Sequence, residues 1–92
     1  MSPDECTKMD FREIEQCDVF VAFPGFPASP GTHIEIGWAS ALQKPTVLLP
    51  KKDCEYAFLV KGLSQISCVA FLEYEQDIEP ERVEATINSM LG

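Results

Sequence analysis

The fold is decided by residues 18–50, DVFVAFPGFPASPGTHIEIGWASALQKPTVLLP. Residues 18–23 are apolar, β-branched or aromatic and predict a strand, and the prolines and glycines of PGFPASPG, which follow, predict a loop. From Pro30 to Gln43 apolar side chains recur at helical spacing, and Lys44-Pro45 closes this predicted helix. The apolar residues 46–49 predict a second strand. This order is typical of parallel strands joined by a crossover helix.

The flanking sequence continues the same alternation. A polar turn at 51–53 precedes a predicted helix that carries Tyr56, Leu59, Val60 and Leu63. Residues 66–72 predict a third strand, and Pro80 opens a last helix with an apolar stripe of Val83, Ile87, Met90 and Leu91. Ahead of residue 18, Thr7–Gln16 is predicted to be helical. We therefore expect one α/β domain over residues 1–92, with a short parallel sheet in three layers.

Composition and charge exclude several classes of partner. Fifteen acidic and seven basic residues give a formal net charge of -8, which repels nucleic-acid backbones and anionic membranes. No apolar run approaches the roughly 20 residues that a membrane span needs. We therefore expect neither a nucleic-acid partner nor a membrane partner.

The cysteines indicate the compartment. Cys6, Cys17, Cys54 and Cys68 form no CxxC pair and accompany a single histidine, so neither a zinc site nor a disulfide framework is predicted. Reduced thiols are typical of cytosolic proteins. We expect a soluble cytoplasmic protein with no metal and no cofactor.

The segment PGFPASPGTHIE, residues 24–35, lies where an open parallel sheet binds ligands, beyond the carboxyl end of a strand. Gly31 allows close approach of a ligand, and the amides of the first helical turn form an anion site suited to a phosphate. One turn further in, the carboxylate of Glu35 could attack the anomeric carbon of a sugar. If Glu35 is catalytic, its pKa is expected to be low enough for the carboxyl to remain ionised, which the nearby helix N-terminus favours.

Purely structural roles remain open for the same residues. Thr32 to Glu35 is also a T-x-x-E capping box, in which Glu35 satisfies a backbone amide. Thr7 to Asp10 could cap the first helix in the same way, and Ser29 could be an N-cap. The isolated His33 is typical of an exposed helix residue, and the spacing of Trp38 is typical of a core residue. Of Phe23 and Phe26, one could stack on a base while the other fills the core.

A longer stretch resembles a known family. Residues 10–50, DFREIEQCDVFVAFPGFPASPGTHIEIGWASALQKPTVLLP, resemble the central part of the nucleoside 2-deoxyribosyltransferase family. Its pattern has an aspartate before a short helix, a strand led by aspartate, a loop, then G-T-x-x-E-x-G-x-A and K-P before the next strand. The resemblance implies a flavodoxin-like (Rossmann-like) fold and cleavage of an N-glycosidic bond by hydrolysis or transfer.

The resemblance also implies residue roles. Glu35 takes the place of the nucleophile that forms a covalent glycosyl intermediate, and Asp10 takes the place of an aspartate near the reacting nucleoside. The pattern S-x-G-x-x-x-E, formed here by Ser29, Gly31 and Glu35, resembles that of the branch that hydrolyses nucleoside 5'-monophosphates. A hydroxyl and backbone amides at these positions would bind a phosphate, whereas a carboxylate would repel it. The residues expected to bind substrate and phosphate are Phe26, Ser29, Gly31 and Thr32. The alternatives are a non-catalytic nucleotide-binding module and a partner-binding fragment.

The family pattern begins with a strand, a helix and a second strand that the 92 residues lack. Strand 18–23 is therefore expected to be an open edge of the sheet. We expect a homodimer or higher oligomer through that edge or through the helix at 30–43, or association with a chain that supplies the missing half. In the phosphate-specific branch a serine of the neighbouring subunit helps to hold the phosphate, and Ala57 stands nearest to that position.

Overall fold

The computed structural model describes residues 1–25 and 30–92. Its elements are a first helix α1 (Pro3–Gln16), strand β1 (Phe20–Ala22), helix α2 (Pro30–Ala41), strand β2 (Thr46–Leu48), helix α3 (Phe58–Lys61), a 3-10 turn (Leu63–Gln65), strand β3 (Val69–Phe71) and helix α4 (Pro80–Leu91). The order αβαβαβα is the one that the sequence predicts.

The three strands form one parallel sheet in the order β1-β2-β3. In its register, Val47 of β2 lies opposite Val21 of β1 and Ala70 of β3. All three residues of β2 are buried, because this strand lies between the other two. β1 therefore forms an edge of the described sheet, as the sequence predicts, and Val21 is 39% exposed there.

The core lies between the sheet and the helices. Ala22 and Leu48 lie on one face of the sheet and pack with Ile36 of α2 and Val60 of α3. Leu49 and Leu72 follow β2 and β3 and alternate in direction with the preceding residues, so they point to the opposite face. A depression next to the N-terminal turn of α4 is lined by both leucines and by Val83. The sheet is thus covered by helices on both faces, as an α/β fold requires.

The first helix begins earlier than predicted, at Pro3 rather than at Thr7. Ser2 is its N-cap: the backbone amide of Glu5 donates to the Ser2 hydroxyl at 3.1 Å, and that hydroxyl donates to the Glu5 carboxylate at 3.2 Å. The sequence S-x-x-E is that of a capping box, although the Glu5 carboxylate here accepts from the Ser2 hydroxyl rather than from the Ser2 backbone amide. Thr7 and Asp10 lie in the interior of α1, so the prediction that they cap the helix is wrong.

Other elements are shorter than the apolar pattern predicts. α3 has only 4 residues, and Gly62 separates it from the 3-10 turn. Ile66 ends that turn and is 68% exposed, so it does not belong to the third strand. In residues 1–25 and 30–92, no helix combines the length and apolar character needed to cross a membrane.

Candidate active site

Helix α2 carries most of the candidate site. It spans Pro30–Ala41 and is the next element after β1 in the described chain. Ser29 and Phe26, predicted to bind phosphate and base, lie outside the described residues. Gly31 and Thr32 lie in the first turn of α2, which contains no acidic residue. Since first-turn amides lack intrahelical acceptors, this end of the helix can bind an anion.

Glu35 is not a capping residue in this structure. Because α2 begins at Pro30, Thr32 already lies inside the helix and cannot be its N-cap. Glu35 then lies in the second turn, beyond the amides that a capping box satisfies. Its side chain is partly buried. The capping alternative therefore does not explain why a glutamate stands at this position.

Packing of α1 against α2 brings Asp10 towards Glu35. The rings of Phe11 and Trp38 meet edge to face, with centroids 5.3 Å apart and an interplanar angle of 88°. Ile14 of α1 is only 5% exposed and anchors the same helix. Asp10 is adjacent to Phe11 and partly buried, while Trp38 is one helical turn after Glu35. The structure thus brings the two predicted catalytic carboxylates to one helix interface.

The pKa of Glu35 is raised, first by burial and then by the negative charges of Asp10 and Glu13. The direction of this shift is opposite to the one that a helix N-terminus favours. The favourable field of a helix N-terminus falls off within the first turn, whereas Glu35 stands in the second. Desolvation and two nearby carboxylates then outweigh the helix dipole, since each disfavours the charged form.

Two further residues that the sequence analysis discusses, His33 and Phe23, lie in the described part of the chain. His33 is partly buried in α2 rather than exposed. Phe23 is 48% exposed and meets Tyr74 edge to face, with ring centroids 6.1 Å apart. Phe23 is therefore not a residue that fills the core.

Sequence reasoning did not single out Glu13, an exposed residue of α1 whose negative charge contributes to the raised pKa of Glu35. Its carboxylate lies near enough to Glu35 to act on its ionisation. The signal was available in the sequence, because Glu13 follows Asp10 by three residues and so shares its side of the helix. The family motif does not include this position.

The described residues offer little support for metal chemistry. No group of three or more histidine, cysteine, aspartate or glutamate residues within 1–25 and 30–92 is arranged to hold a metal ion. The cysteines are all free thiols, and three of them, Cys6, Cys54 and Cys68, are exposed. Within the described residues, the candidate site consists of the carboxyl groups of Asp10 and Glu35 and the N-terminal turn of α2.

Comparison with known proteins gives consistent matches. A family model described as nucleoside 2-deoxyribosyltransferase matches residues 4–90. The structure of the Clostridium botulinum CMP N-glycosidase BcmB is similar, with a TM-score of 0.79 and 54% identity over 83% of this chain and 62% of that chain. The solution structure of BlsM gives a TM-score of 0.76 and 48% identity over 99% of this chain and 55% of that chain.

These matches confirm the predicted flavodoxin-like fold. The chain spans less than two thirds of the length of both solved relatives. A search of curated proteins found no match.

Proposed function

Because the chain belongs to the nucleoside 2-deoxyribosyltransferase family, we propose that it cleaves the N-glycosidic bond of a nucleoside 5'-monophosphate with Glu35 as nucleophile. The observation that carries this proposal is the partly buried Glu35 in the second turn of α2, with Asp10 close enough to act on its ionisation. A 54% identical relative is a CMP N-glycosidase, which makes a cytosine nucleotide the first substrate to test.

The proposed reaction has two steps. A carboxylate oxygen of Glu35 attacks the anomeric carbon, the bond from that carbon to the base breaks, and its electron pair leaves with the base, which takes up a proton. Asp10 is our candidate for delivering that proton. Water then attacks the anomeric carbon of the glycosyl ester and passes a proton back to Asp10, and the bond to Glu35 breaks, which releases the sugar phosphate and the Glu35 carboxylate. A second base in place of water gives transfer.

The site electrostatics suit this chemistry. Positive charge develops on the sugar in the oxocarbenium-like transition state, and Asp10, which becomes a carboxylate as its proton passes to the base, is proposed to stabilise that charge. The 5'-phosphate is proposed to bind at the start of α2, where Gly31 and Thr32 contribute backbone amides and Ser29 a hydroxyl. Phe26 is proposed to stack on the base.

The test is base release, followed by chromatography. Wild type and Glu35→Gln are incubated with a panel of nucleosides and their 5'-monophosphates. We expect release by wild type alone and a preference for monophosphates. Release that survives in Glu35→Gln would refute the role of Glu35. Thermal stabilisation by a nucleotide without release would favour a binding module instead.

We further propose that the chain acts as a homodimer, through a face that the sequence did not indicate. The most exposed large apolar side chains in the middle of the chain are Phe58, Leu59 and Ile66, which are 87%, 82% and 68% exposed. They line one groove, together with Leu63 and a single cation, Lys61. In a chain of charge -8, two copies repel each other least through a face of this composition.

A cytoplasmic location is proposed as well. The four cysteines are free thiols, and thiols remain reduced in that compartment.

A further inference from the structure

A cavity lies at the carboxyl ends of β2 and β3, beside the first turn of α4. Its volume is about 580 Å³, which is in the range of sites that hold a small organic ligand. Leu49, which is 4% exposed, and the partly buried Leu72 and Val83 contribute apolar surface to its lining. None of its described lining residues belongs to α1 or α2, so it does not share residues with the candidate site around Glu35.

Tyr74 gives this cavity an aromatic wall, and the backbone fixes its position. Tyr74 pairs with Lys51 where the ladder of β2 and β3 continues beyond the two strands. Its amide donates to the carbonyl of Pro50 at 3.1 Å, and its carbonyl accepts from the amide of Lys52 at 2.7 Å. The ring also meets Phe23 edge to face. Because Tyr74 is held in this way and is only partly buried, a planar ligand in the cavity can stack on it at little cost in ordering.

The charges around the cavity are unfavourable for an anion. Lys52 Nζ lies 2.9 Å from Glu75 Oε1, and Nη1 of Arg82 donates to the backbone carbonyl of Glu73 at 3.2 Å. Both cations are therefore already engaged with the protein. The described lining residues include four carboxylates, those of Glu73, Glu75, Asp77 and Glu79. The net negative charge opposes binding of a phosphate, whereas carboxylate oxygens accept hydrogen bonds from N–H groups.

We propose that this cavity is a second ligand site, which binds a free, uncharged nucleobase that carries an exocyclic amino group. A nucleobase is planar and stacks on Tyr74, its faces contact Leu49 and Leu72, and its amino group donates to a carboxylate of the lining. A nucleotide carries the phosphate that the charge of the cavity opposes. The choice of a nucleobase among planar ligands rests on the proposed function, in which a free base is a product.

The first test is a titration of ¹⁵N-labelled wild type with cytosine, observed by amide NMR. We expect saturable shifts at the amides of Leu72, Tyr74 and Val83. Tyr74→Leu keeps apolar bulk but removes the aromatic ring, and it should weaken cytosine binding at least about 5-fold. The matched control Tyr56→Leu removes a ring that contacts Phe71 outside the cavity and should bind cytosine as wild type does. Absence of shifts at these amides, or equal binding by folded Tyr74→Leu, would overturn the proposal.

A second titration tests the charge argument and does not depend on turnover. Cytidine 5'-monophosphate is added to Glu35→Gln, with free base monitored so that cleavage does not supply cytosine. We expect no shifts at the cavity amides at concentrations where cytosine saturates them. Equal shifts with the monophosphate, or shifts with tetramethylammonium but not with cytosine, would contradict the proposed ligand class. If wild type releases no base, the proposed function fails, and these titrations still decide whether the cavity binds a base.

Discussion

Glu35 is held where its negative charge is unfavourable. Burial, Asp10 and Glu13 all raise its pKa, so the folded chain would be more stable with a neutral group at this position. Perturbed carboxyls of this kind cluster at functional sites, where stability is given up for chemistry. The same field that opposes ionisation of Glu35 favours a cationic sugar beside it.

Substitution of Glu35 by its neutral isostere should therefore stabilise the fold. A carboxyl whose pKa is raised on folding contributes stability below its unfolded pKa, and this contribution is lost as the pH rises through the folded pKa. At pH 7 we expect Glu35→Gln to raise Tm by about 1–4 °C, with the gain disappearing towards pH 4. Thermal denaturation of Glu35→Gln and the control Glu15→Gln at both pH values tests this. A lower Tm for Glu35→Gln at pH 7 would contradict it.

For single residues, the sequence identifies Asp10 and Glu35 as catalytic candidates but does not predict that the pKa of Glu35 is raised. The spacing of Asp10 and Glu35 in the family-like pattern identified both residues. The direction of the pKa shift depends on how far Glu35 is buried and on which side of α1 faces α2. Both are properties of helix packing that no single motif contains.

At the scale of elements, α1 is the part that local sequence rules could have predicted better. Ser2-Pro3 begins the helix, and the Ser2 hydroxyl accepts from the Glu5 amide and donates to the Glu5 carboxylate. The apolar periodicity begins only at Met9, because the N-terminal turns of α1 are exposed and carry no apolar stripe. A helix predicted from periodicity alone therefore begins too late. α3 is short for a different reason, since Gly62 follows its fourth residue.

Alanine substitutions at Ser2 and at Thr7 test where α1 begins. Ser2→Ala removes the hydroxyl that accepts from the Glu5 amide and should destabilise the fold by about 1 kcal/mol. Thr7→Ala replaces an exposed residue inside α1 and should be neutral or stabilising by a few tenths of a kcal/mol, since alanine is the better helix former. Urea denaturation measures both. A larger decrease in the free energy of unfolding for Thr7→Ala than for Ser2→Ala would show that the helix begins at Thr7, as the apolar periodicity predicts.

At the scale of the whole molecule, the sheet and its edge follow from the sequence, whereas the exposed apolar face does not. Alternating apolar strands and amphipathic helices predicted the parallel sheet, of which β1 forms an edge in the described part of the chain. The sequence predicts that Leu59 lies on a helix, and in the structure it lies in α3, which has only 4 residues. The helix is too short to bury it, and Leu59 is 82% exposed.

Measuring the oligomeric state in solution tests whether two chains associate through the apolar groove around Leu59. We expect wild type to sediment as a dimer at micromolar concentration. Leu59→Glu, which places a charge in the groove, should weaken dimerisation at least about 10-fold. Ile34→Glu alters the α2 surface, where Ile34 is 54% exposed, and should leave the dimer intact. A monomeric wild type, or dissociation by Ile34→Glu alone, would contradict the proposed interface.

The central claim is that Glu35 cleaves a nucleotide, and base release by wild type and Glu35→Gln at pH 7 tests it most directly. Both proteins are incubated at equal concentration with cytidine 5'-monophosphate and the other monophosphates, and free base is quantified by chromatography. The account predicts release by wild type and a loss of at least about 1000-fold in Glu35→Gln, with Tm showing that the variant is folded. Equal release by both proteins, or none by wild type, would contradict it.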